Sequence, residues 1–420
     1  MAEAAPSRPT LAYVYEPGSF ATLALFEAAR GLCDLVWVAD TARPDVAEVA
    51  TLLRRLGTLV DTQGLDMDQV AAAIAVHRPK GILALADDAL RVTAELAAQL
   101  SLPFHSVESA LALTDKHVQR EALADAGLAT PKCWVVAADR PDDSVGVAVG
   151  AARFPVVLKP RVGEGSRDTR LASTPAELRE AVAATLEGGA RDLVVEEYIA
   201  DAAAALAGDG FAGYVSVESI VAEGRVSHLA VNGRTPVSAP FRETGFFIPA
   251  ALGADLERAV LDLASAAAAA LGVTIGCLHT EIKLSPAGPV VIEVNGRVGG
   301  GVPEMLAAAT GTHLLTIAMR LALGEPVVCD GPMPTRCVAY LLYVQAPPAL
   351  RVVTAVDGVD ELRALDGVEE VILRRGPGAR GDWREGNHGH VLSVFGTVAD
   401  HAALRASLER IASTVRIVGS

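Results

Sequence analysis

The sequence predicts an α/β protein of two or three domains, on three observations. Short apolar runs at residues 11–15, 35–39 and 81–85 alternate with helical stretches, the pattern of a small doubly wound parallel sheet. The chain has 420 residues, past the size at which one core divides. It is rich in alanine and aliphatics and only 4% aromatic, which suits a helix-rich α/β enzyme better than an all-β protein.

The elements follow in order. The first strand is not followed by G-x-G-x-x-G, so a dinucleotide fold is not supported. Thr114 is placed to cap a helix over 116–126, closed by Gly127 and followed by Pro131. Residues 154–160 read as a strand leading into a glycine-bearing loop, 163–166. Further strands are expected at 193–197, 214–222 and 226–231, the last two joined through Ala222-Glu223-Gly224. A helix follows at 256–272. Strands at 278–284 and 290–294 meet at Ser285-Pro286-Ala287-Gly288, another hairpin signal. The tail carries strands at 338–344, 371–373 and 390–396 and a helix at 399–412. The division expected is an N-terminal α/β domain (1–112), a central nucleotide domain (113–330) with a lid subdomain at about 130–200, and a C-terminal α+β domain (331–420). No internal repeat is visible.

Acidic residues outnumber basic ones, 51 to 36, and Lys and Arg do not cluster. Nucleic acid and anionic membrane are therefore not expected as partners. Mean hydropathy is high, yet no apolar run is long enough to span a bilayer, and the alanines at 266–270, closed by Gly272, read as a buried helix. Residues 1–10 hold Pro6 and Pro9 and no apolar signal core. The five cysteines are scattered, without C-x-x-C or zinc spacing. Reduced thiols in the cytoplasm are the expectation.

The strongest chemical signal is Glu281 with Glu293-x-Asn295-x-Arg297. Both acids lie in expected apolar strands, where an unpartnered carboxylate is costly to ionise. A hard cation removes that cost, and two carboxylates with an amide oxygen suit Mg²⁺ when phosphates and water complete its shell; Mn²⁺ is an alternative. Period two puts Glu293 and Asn295 on one face, and antiparallel pairing can bring Glu281 beside them. Arg297 continues the alternation and suits a phosphoryl group or carboxylate. A salt-bridge cluster is the alternative for any one of these residues; the four together favour the metal site.

The second signal is residues 155–160, Pro-Val-Val-Leu-Lys-Pro, followed by Gly163-Glu164-Gly165-Ser166. Lys159 at a strand end can hold a nucleotide phosphate, and the loop can bring N–H groups onto terminal phosphates. It is not a Walker loop. Alone it reads as a surface hairpin; beside the acids it does not. Residues 193–199, ending Glu196-Glu197-Tyr198-Ile199, form a candidate adenine hinge. Lys116 alone is an ordinary helix lysine. His228 and His279 read as satisfied strand histidines without a catalytic role.

In this order the motifs resemble the ATP-grasp superfamily, over nearly the whole chain and most densely from Lys116 to Gly301. The run Asp115-Lys116-x-x-x-Arg120-x-x-Leu123-x-x-x-Gly127-x-x-x-Pro131 resembles the family's entry helix, and residues 157–160 its second nucleotide lysine, Lys159. Glu196–Ile199 resemble the hinge, and Ser216-Val217-Glu218 the strand behind the nucleotide. The resemblance implies Mg²⁺ on Glu281, Glu293 and Asn295, and Arg297 stabilising phosphoryl and acyl-phosphate species. Residues 240–245, Pro-Phe-Arg-Glu-Thr-Gly, and 293–301, Glu-Val-Asn-Gly-Arg-Val-Gly-Gly-Gly, look most like the L-amino-acid ligases, which make dipeptides. D-alanine–D-alanine ligases and the purine and biotin carboxylases share the core motifs but resemble these two segments less.

Three departures stand out. The glycine loop reads Gly165-Ser166-Arg167-Asp168-Thr169 where the family often continues Gly-Ser-x-Gly-Val, so contacts are assigned only to Gly163, Gly165 and Ser166. Tyr214 stands where an acid often holds the ribose. A long Ala/Gly loop fills 201–211, where many relatives turn tightly.

The resemblance implies an enzyme that binds ATP, phosphorylates a carboxylate and condenses the acyl phosphate with an amine. Arg297 and Glu243 are its candidate catalytic residues. Glu243 is also the candidate reader of a substrate ammonium, with a surface acid as its alternative. Gly300 and Gly301 offer either space or backbone N–H groups to the substrate. Small-molecule carboxylate and amine are the expected partners, and homodimers are common among such ligases. The rival readings are a ligase using formate or bicarbonate and a silent nucleotide-binding subunit.

Overall fold

The computed structural model describes residues 8–420 except Ser19, 203–205, Asp209, Val328, Asp330 and the side chain of Trp383. Ala203–Ala205 and Asp209 of the long Ala/Gly loop therefore lie outside the described residues.

The first sheet is parallel: β1 (Thr10–Val14), β2 (Asp34–Ala39), β3 (Thr58–Asp61) and β4 (Gly81–Leu83), in the order β3-β2-β1-β4. Its interior centres on Leu11, Tyr13 and Trp37, all fully buried, with the two aromatic rings edge to face at 5.5 Å. β3 lies at the edge and only Val60 in it is buried, so its sequence lacks the apolar run that marks the other three. At Gly81 a Cβ would stand 1.9 Å from the Ala322 carbonyl oxygen, which fixes how closely this sheet meets the helix Leu314–Ala322.

The second sheet is antiparallel: β5 (Cys133–Val136), β6 (Val156–Pro160), β7 (Arg170–Ala172) and β8 (Leu193–Glu197), in the order β5-β8-β6-β7. The helices Pro141–Ala151 and Pro175–Leu186 cover it, burying Val145, Ala148, Leu178 and Val182 against Val136, Val156, Leu158 and Leu193.

The central sheet has eight strands. It contains β9 (Tyr214–Ala222), β10 (Arg225–Arg234), β11 (Gly245–Ile248), β12 (Gly276–Ser285), β13 (Gly288–Asn295), β14 (Val338–Gln345), β16 (Val368–Leu373) and β17 (His390–Val398), in the order β13-β12-β9-β10-β11-β14-β17-β16. β15 (Val353–Asp357) and β18 (Arg416–Gly419) pair separately as a ribbon. The tail strands thus continue the sheet of the central region. The four-residue β11 joins them, and it pairs with β14 along its whole length.

One local expectation needs correction. The helix Lys116–Asp125 is capped by Asp115, whose Oδ1 accepts from the His117 and Val118 amides at 3.0 and 3.2 Å. Thr114 instead ends the preceding helix, Val107–Thr114, and its hydroxyl donates back to the Ala110 carbonyl at 2.8 Å. Two helices abut at one residue, and the carboxylate, a strong acceptor for orphan amides, takes the cap.

Candidate active site

The β12–β13 register sets Glu281 directly opposite Glu293, and His279 opposite Asn295. Across β12, Glu218 of β9 faces His279 and Ser216 faces Glu281; Asn232 of β10 faces Ser216 in turn. Directly paired residues share a face, so one side of four strands is polar. The opposite side supplies Val215, Val217, Val231, Ile282 and Leu284 to the core. A bulge sets this phase: Glu281 pairs with Glu293 but Ile282 with Val291, leaving Ile292 as the extra residue.

The polar face is wired together. His279 lies between two carboxylates, its Nδ1 2.5 Å from Glu218 Oε1 and its Nε2 3.5 Å from Glu281 Oε1. Burial opposes the imidazolium, but the Glu218 charge overrides it and the pKa rises to about 9. Burial likewise opposes the Glu281 carboxylate, yet the hydrogen bond with His279 and the Arg234 charge hold it well below the usual carboxylate range. Glu218 accepts from Asn232 Nδ2 at 2.8 Å and from the Gly299 amide at 3.4 Å. It is therefore a buried brace within the sheet, and His279 is a member of the site. Sequence reading gave His279 only a packing role, because a histidine's partner on a neighbouring strand is visible only once register is known.

Arg234, 3% exposed, pairs with Glu243 and reaches His279 Nε2 at 3.2 Å and Glu281 Oε1 at 3.8 Å. Its guanidinium lies over the rings of Tyr214 and Phe246. Tyr214, standing where a ribose acid was sought, is thus part of an arginine's bed. Glu243 also accepts from Asn387 Nδ2 at 2.8 Å.

Lys116 Nζ sits 2.9 Å from Glu293 Oε1 and donates to the Gly163 carbonyl at 2.5 Å. Lys159 Nζ lies 2.8 Å from Glu196 Oε2, and Arg120 Nε 3.0 Å from Glu196 Oε1. Burial works against the Glu196 carboxylate, but Arg120 and Lys159 lower its pKa. Arg120 also donates to the carbonyl of the bulged Ile292, tying the lid sheet to β13. Arg297 is held by Asp87 through Nε at 3.0 Å and Nη2 at 2.8 Å, and by Glu164 of the glycine loop at 3.2 Å. Asp87 opens the helix Asp87–Leu100 after β4, so the first sheet contributes to the site; no motif in the sequence marks it.

The remaining candidates divide. Glu197 points away from Glu196, as strand alternation requires, and pairs with Arg153. Tyr198 donates its N–H to the Pro155 carbonyl at 3.1 Å and its side chain is exposed. Gly163 and Gly165 have φ of +138° and +65°, and Ser166 shares the left-handed region at +57°. Asp168 pairs with Arg191, which neutralises its charge. Gly301 has φ +72°, and a Cβ there would meet Leu341 at 2.4 Å, whereas Gly300 faces open space. His228, bonded to Ser219 and Ser265, is a satisfied strand histidine.

Glu281, Glu293 and Asn295 form a donor set of hard oxygens on one face, with Glu281 held ionised. That set fits a magnesium ion sharing its shell with phosphates.

Residues 152–304 match the family described as ATP-grasp domain. The protein y4rH of Sinorhizobium fredii is 27% identical over 324 residues, 75% of this chain and 63% of that protein. Carnosine synthase 1 of Gallus gallus is 32% identical over 208 residues, 46% of this chain and 21% of that protein. The chain thus spans less than two thirds of these relatives. The crystal structure of an L-amino acid ligase from Bacillus licheniformis superposes with a TM-score of 0.77 at 21% identity, covering 99% of this chain and 100% of that one. Lys159, the glycine loop and the polar residues of β9, β10, β12 and β13 fall within the segment, residues 152–304, that matches the ATP-grasp domain family, and Lys116 lies ahead of it.

Proposed function

We propose that the protein is an ATP-dependent carboxylate–amine ligase. It phosphorylates the carboxylate of an amino acid and condenses the acyl phosphate with the amine of a second one, releasing ADP and phosphate. The observation that carries this reading is the direct opposition of Glu281 and Glu293, with Asn295 on the same face and Arg297 beyond it. The names of carnosine synthase 1 and the L-amino acid ligase support the amino-acid class.

Lys116 and Lys159 bind the phosphates, and the backbone of 197–199 receives the adenine edge. Glu281, Glu293 and Asn295 hold magnesium, which when bound neutralises phosphate charge during transfer. Arg297 steadies the acyl phosphate as a fixed cation; Asp87 orients it. The Gly299 amide is taken by Glu218, leaving the amides of Gly300 and Gly301 for the substrate. Glu243 reads the ammonium group, since a carboxylate oxygen accepts more than one hydrogen bond. The glycine loop excludes water from an intermediate that hydrolyses readily. No single helix among the described residues is long and apolar enough to cross a membrane.

The test is release of ADP and phosphate from Mg-ATP with pooled amino acids, with product masses read by mass spectrometry and Glu293→Ala as control. A condensed mass that needs two amino acids, lost in the variant, supports the ligase. ATP binding with no release from any pool overturns the amino-acid reading. Release driven instead by formate or bicarbonate moves the protein to the carboxylating branch.

A further inference from the structure

The segment around Trp383–Gly389, between β16 and β17, has no part in the chemistry above, yet it touches two pieces of the site at once. The Asn387 amide donates to the Gly165 carbonyl of the glycine loop at 2.8 Å. Its side chain closes on Glu243 from both sides: Nδ2 donates to Glu243 Oε2 at 2.8 Å, and Oδ1 accepts from the Glu243 amide at 2.8 Å. Gln345, at the end of β14, donates to the Glu243 carbonyl at 2.7 Å.

The docking of this segment on the glycine loop is tight. The Asp168 amide donates to the Arg384 carbonyl at 3.1 Å. Gly386 has φ +59°, and a Cβ there would stand 2.1 Å from the Gly165 oxygen and 2.7 Å from the Ser166 carbonyl carbon. A Cβ on Gly165 would meet His388 Nε2 at 2.8 Å. The glycine loop itself carries two non-glycine residues at positive φ, Ser166 and Asp168. Such conformations persist only where the surroundings over-determine them, and here the surroundings are the 384–388 segment on one side and Lys116 and Arg297 on the other.

We infer that the 384–388 segment is a latch, and that Asn387 is a positioning residue coupling closure of the phosphate loop to the placement of Glu243. The inference rests on the ligase reading for what Glu243 does, but not for the physical link. When the glycine loop seats, Gly165 and Gly386 bring Asn387 to the position where its amide group fixes both the backbone and the carboxylate of Glu243. Through Arg234 that carboxylate is connected to Glu281 and His279. The amine site is thereby completed only over a closed phosphate loop, so the acyl phosphate is formed where an amine, and not water, is waiting.

Two variants and two readouts test this. Asn387→Ala keeps the backbone bond to Gly165 and removes the hold on Glu243; Gly386→Ala unseats the loop. Amide hydrogen exchange on the full chain, with and without a non-hydrolysable Mg-ATP analogue, follows peptides over 163–168 and 243–247 and needs no turnover. Gly386→Ala is expected to speed exchange at least tenfold in both peptides, Asn387→Ala in the second only, with nucleotide affinity changed less than threefold. The phosphate-to-amide ratio, 1:1 in the unaltered protein, is expected to rise several-fold in Asn387→Ala, with KM rising for the amine and not for ATP. Rapid exchange at 163–168 in Gly386→Ala with no change at 243–247 overturns the coupling. So does an Asn387→Ala protein that keeps both its slow exchange and its 1:1 ratio. If no amide is made by any variant, the ligase reading fails while the exchange data still decide the latch.

Discussion

Glu293 and His279 test the site one side chain at a time. Glu293→Gln preserves shape and removes the charge that faces Glu281 and Lys116. Turnover is expected to fall by about 10²-fold or more, with the thermal midpoint little changed. An activity within a few fold of the parent in a magnesium titration would remove Glu293 from the metal set. His279→Leu is a different kind of change, because Glu218 is 1% exposed and would lose its principal cation. Breaking a buried pair of this kind costs about 3–5 kcal/mol, read as a lowered urea midpoint, and His279→Gln, which keeps a hydrogen bond, should cost less. These residues also mark the limits of sequence reading. The spacing of Glu281, Glu293 and Asn295 put them on one face, and the register places them there, whereas Lys116 and Lys159 stood out only beside the acids and the family resemblance. His279, Asp87, Arg234 and Asn387 act through partners 61, 210, 9 and 144 positions away, and nothing beside them in the chain announces those partners.

Among the elements, the long strands and helices were legible because each buries a continuous or periodic apolar set: β8 and β9 match their expected bounds residue for residue. Several short elements were not. β3, β7 and β11 have three to four residues each, and their place is decided by a neighbour's free edge rather than by their own composition. The helix Asp87–Leu100 is the element whose placement matters most for chemistry, since its first residue grips Arg297. Burial raises the Asp87 pKa despite the Arg297 charge, with Glu164 adding to the rise. Asp87→Asn is expected to lower kcat/KM about tenfold, ~1.4 kcal/mol of transition-state stabilisation, while far-ultraviolet circular dichroism stays unchanged. A variant with full kcat/KM would leave Asp87 a purely structural tether.

Taken whole, the described residues join three larger sheets and a two-stranded ribbon, with contacts set by backbone proximity as much as by side chains. Gly81→Ala would drive a methyl into the Ala322 carbonyl and is expected to destabilise by ~1–3 kcal/mol, seen as a lower melting temperature; an unchanged value would mean the first sheet shifts freely on its neighbour. The pH dependence of stability has a defined sign. The His279 pKa is raised from 6.5 to about 9 in the folded protein, so its contribution is complete below pH 6.5 and is lost as pH rises through about 9. The difference in urea midpoint between the parent and His279→Gln should shrink across that window; a constant difference would mean the imidazole is neutral. The tail strands were read as a domain of their own, and the sheet order joins them to the centre through β11, a connection that pairing alone establishes.

The extra residue at Ile292 gives the sheet something like a reading frame. Up to Val291 the strand is in one phase with β12, and from Glu293 onward it is in the other. Straightening the strand with Ile292 kept in the ladder opposite Glu281 would turn Glu293 and Asn295 toward the hydrocarbon interior and bring Val294 to the polar side, whereas deleting Ile292 would leave Glu281 and Glu293 paired. A homologous chain with a one-residue gap at Ile292 would therefore keep the same side of the sheet wet, whereas the same gap between Glu293 and Asn295 would turn the asparagine inward, however well the letters on either side agree.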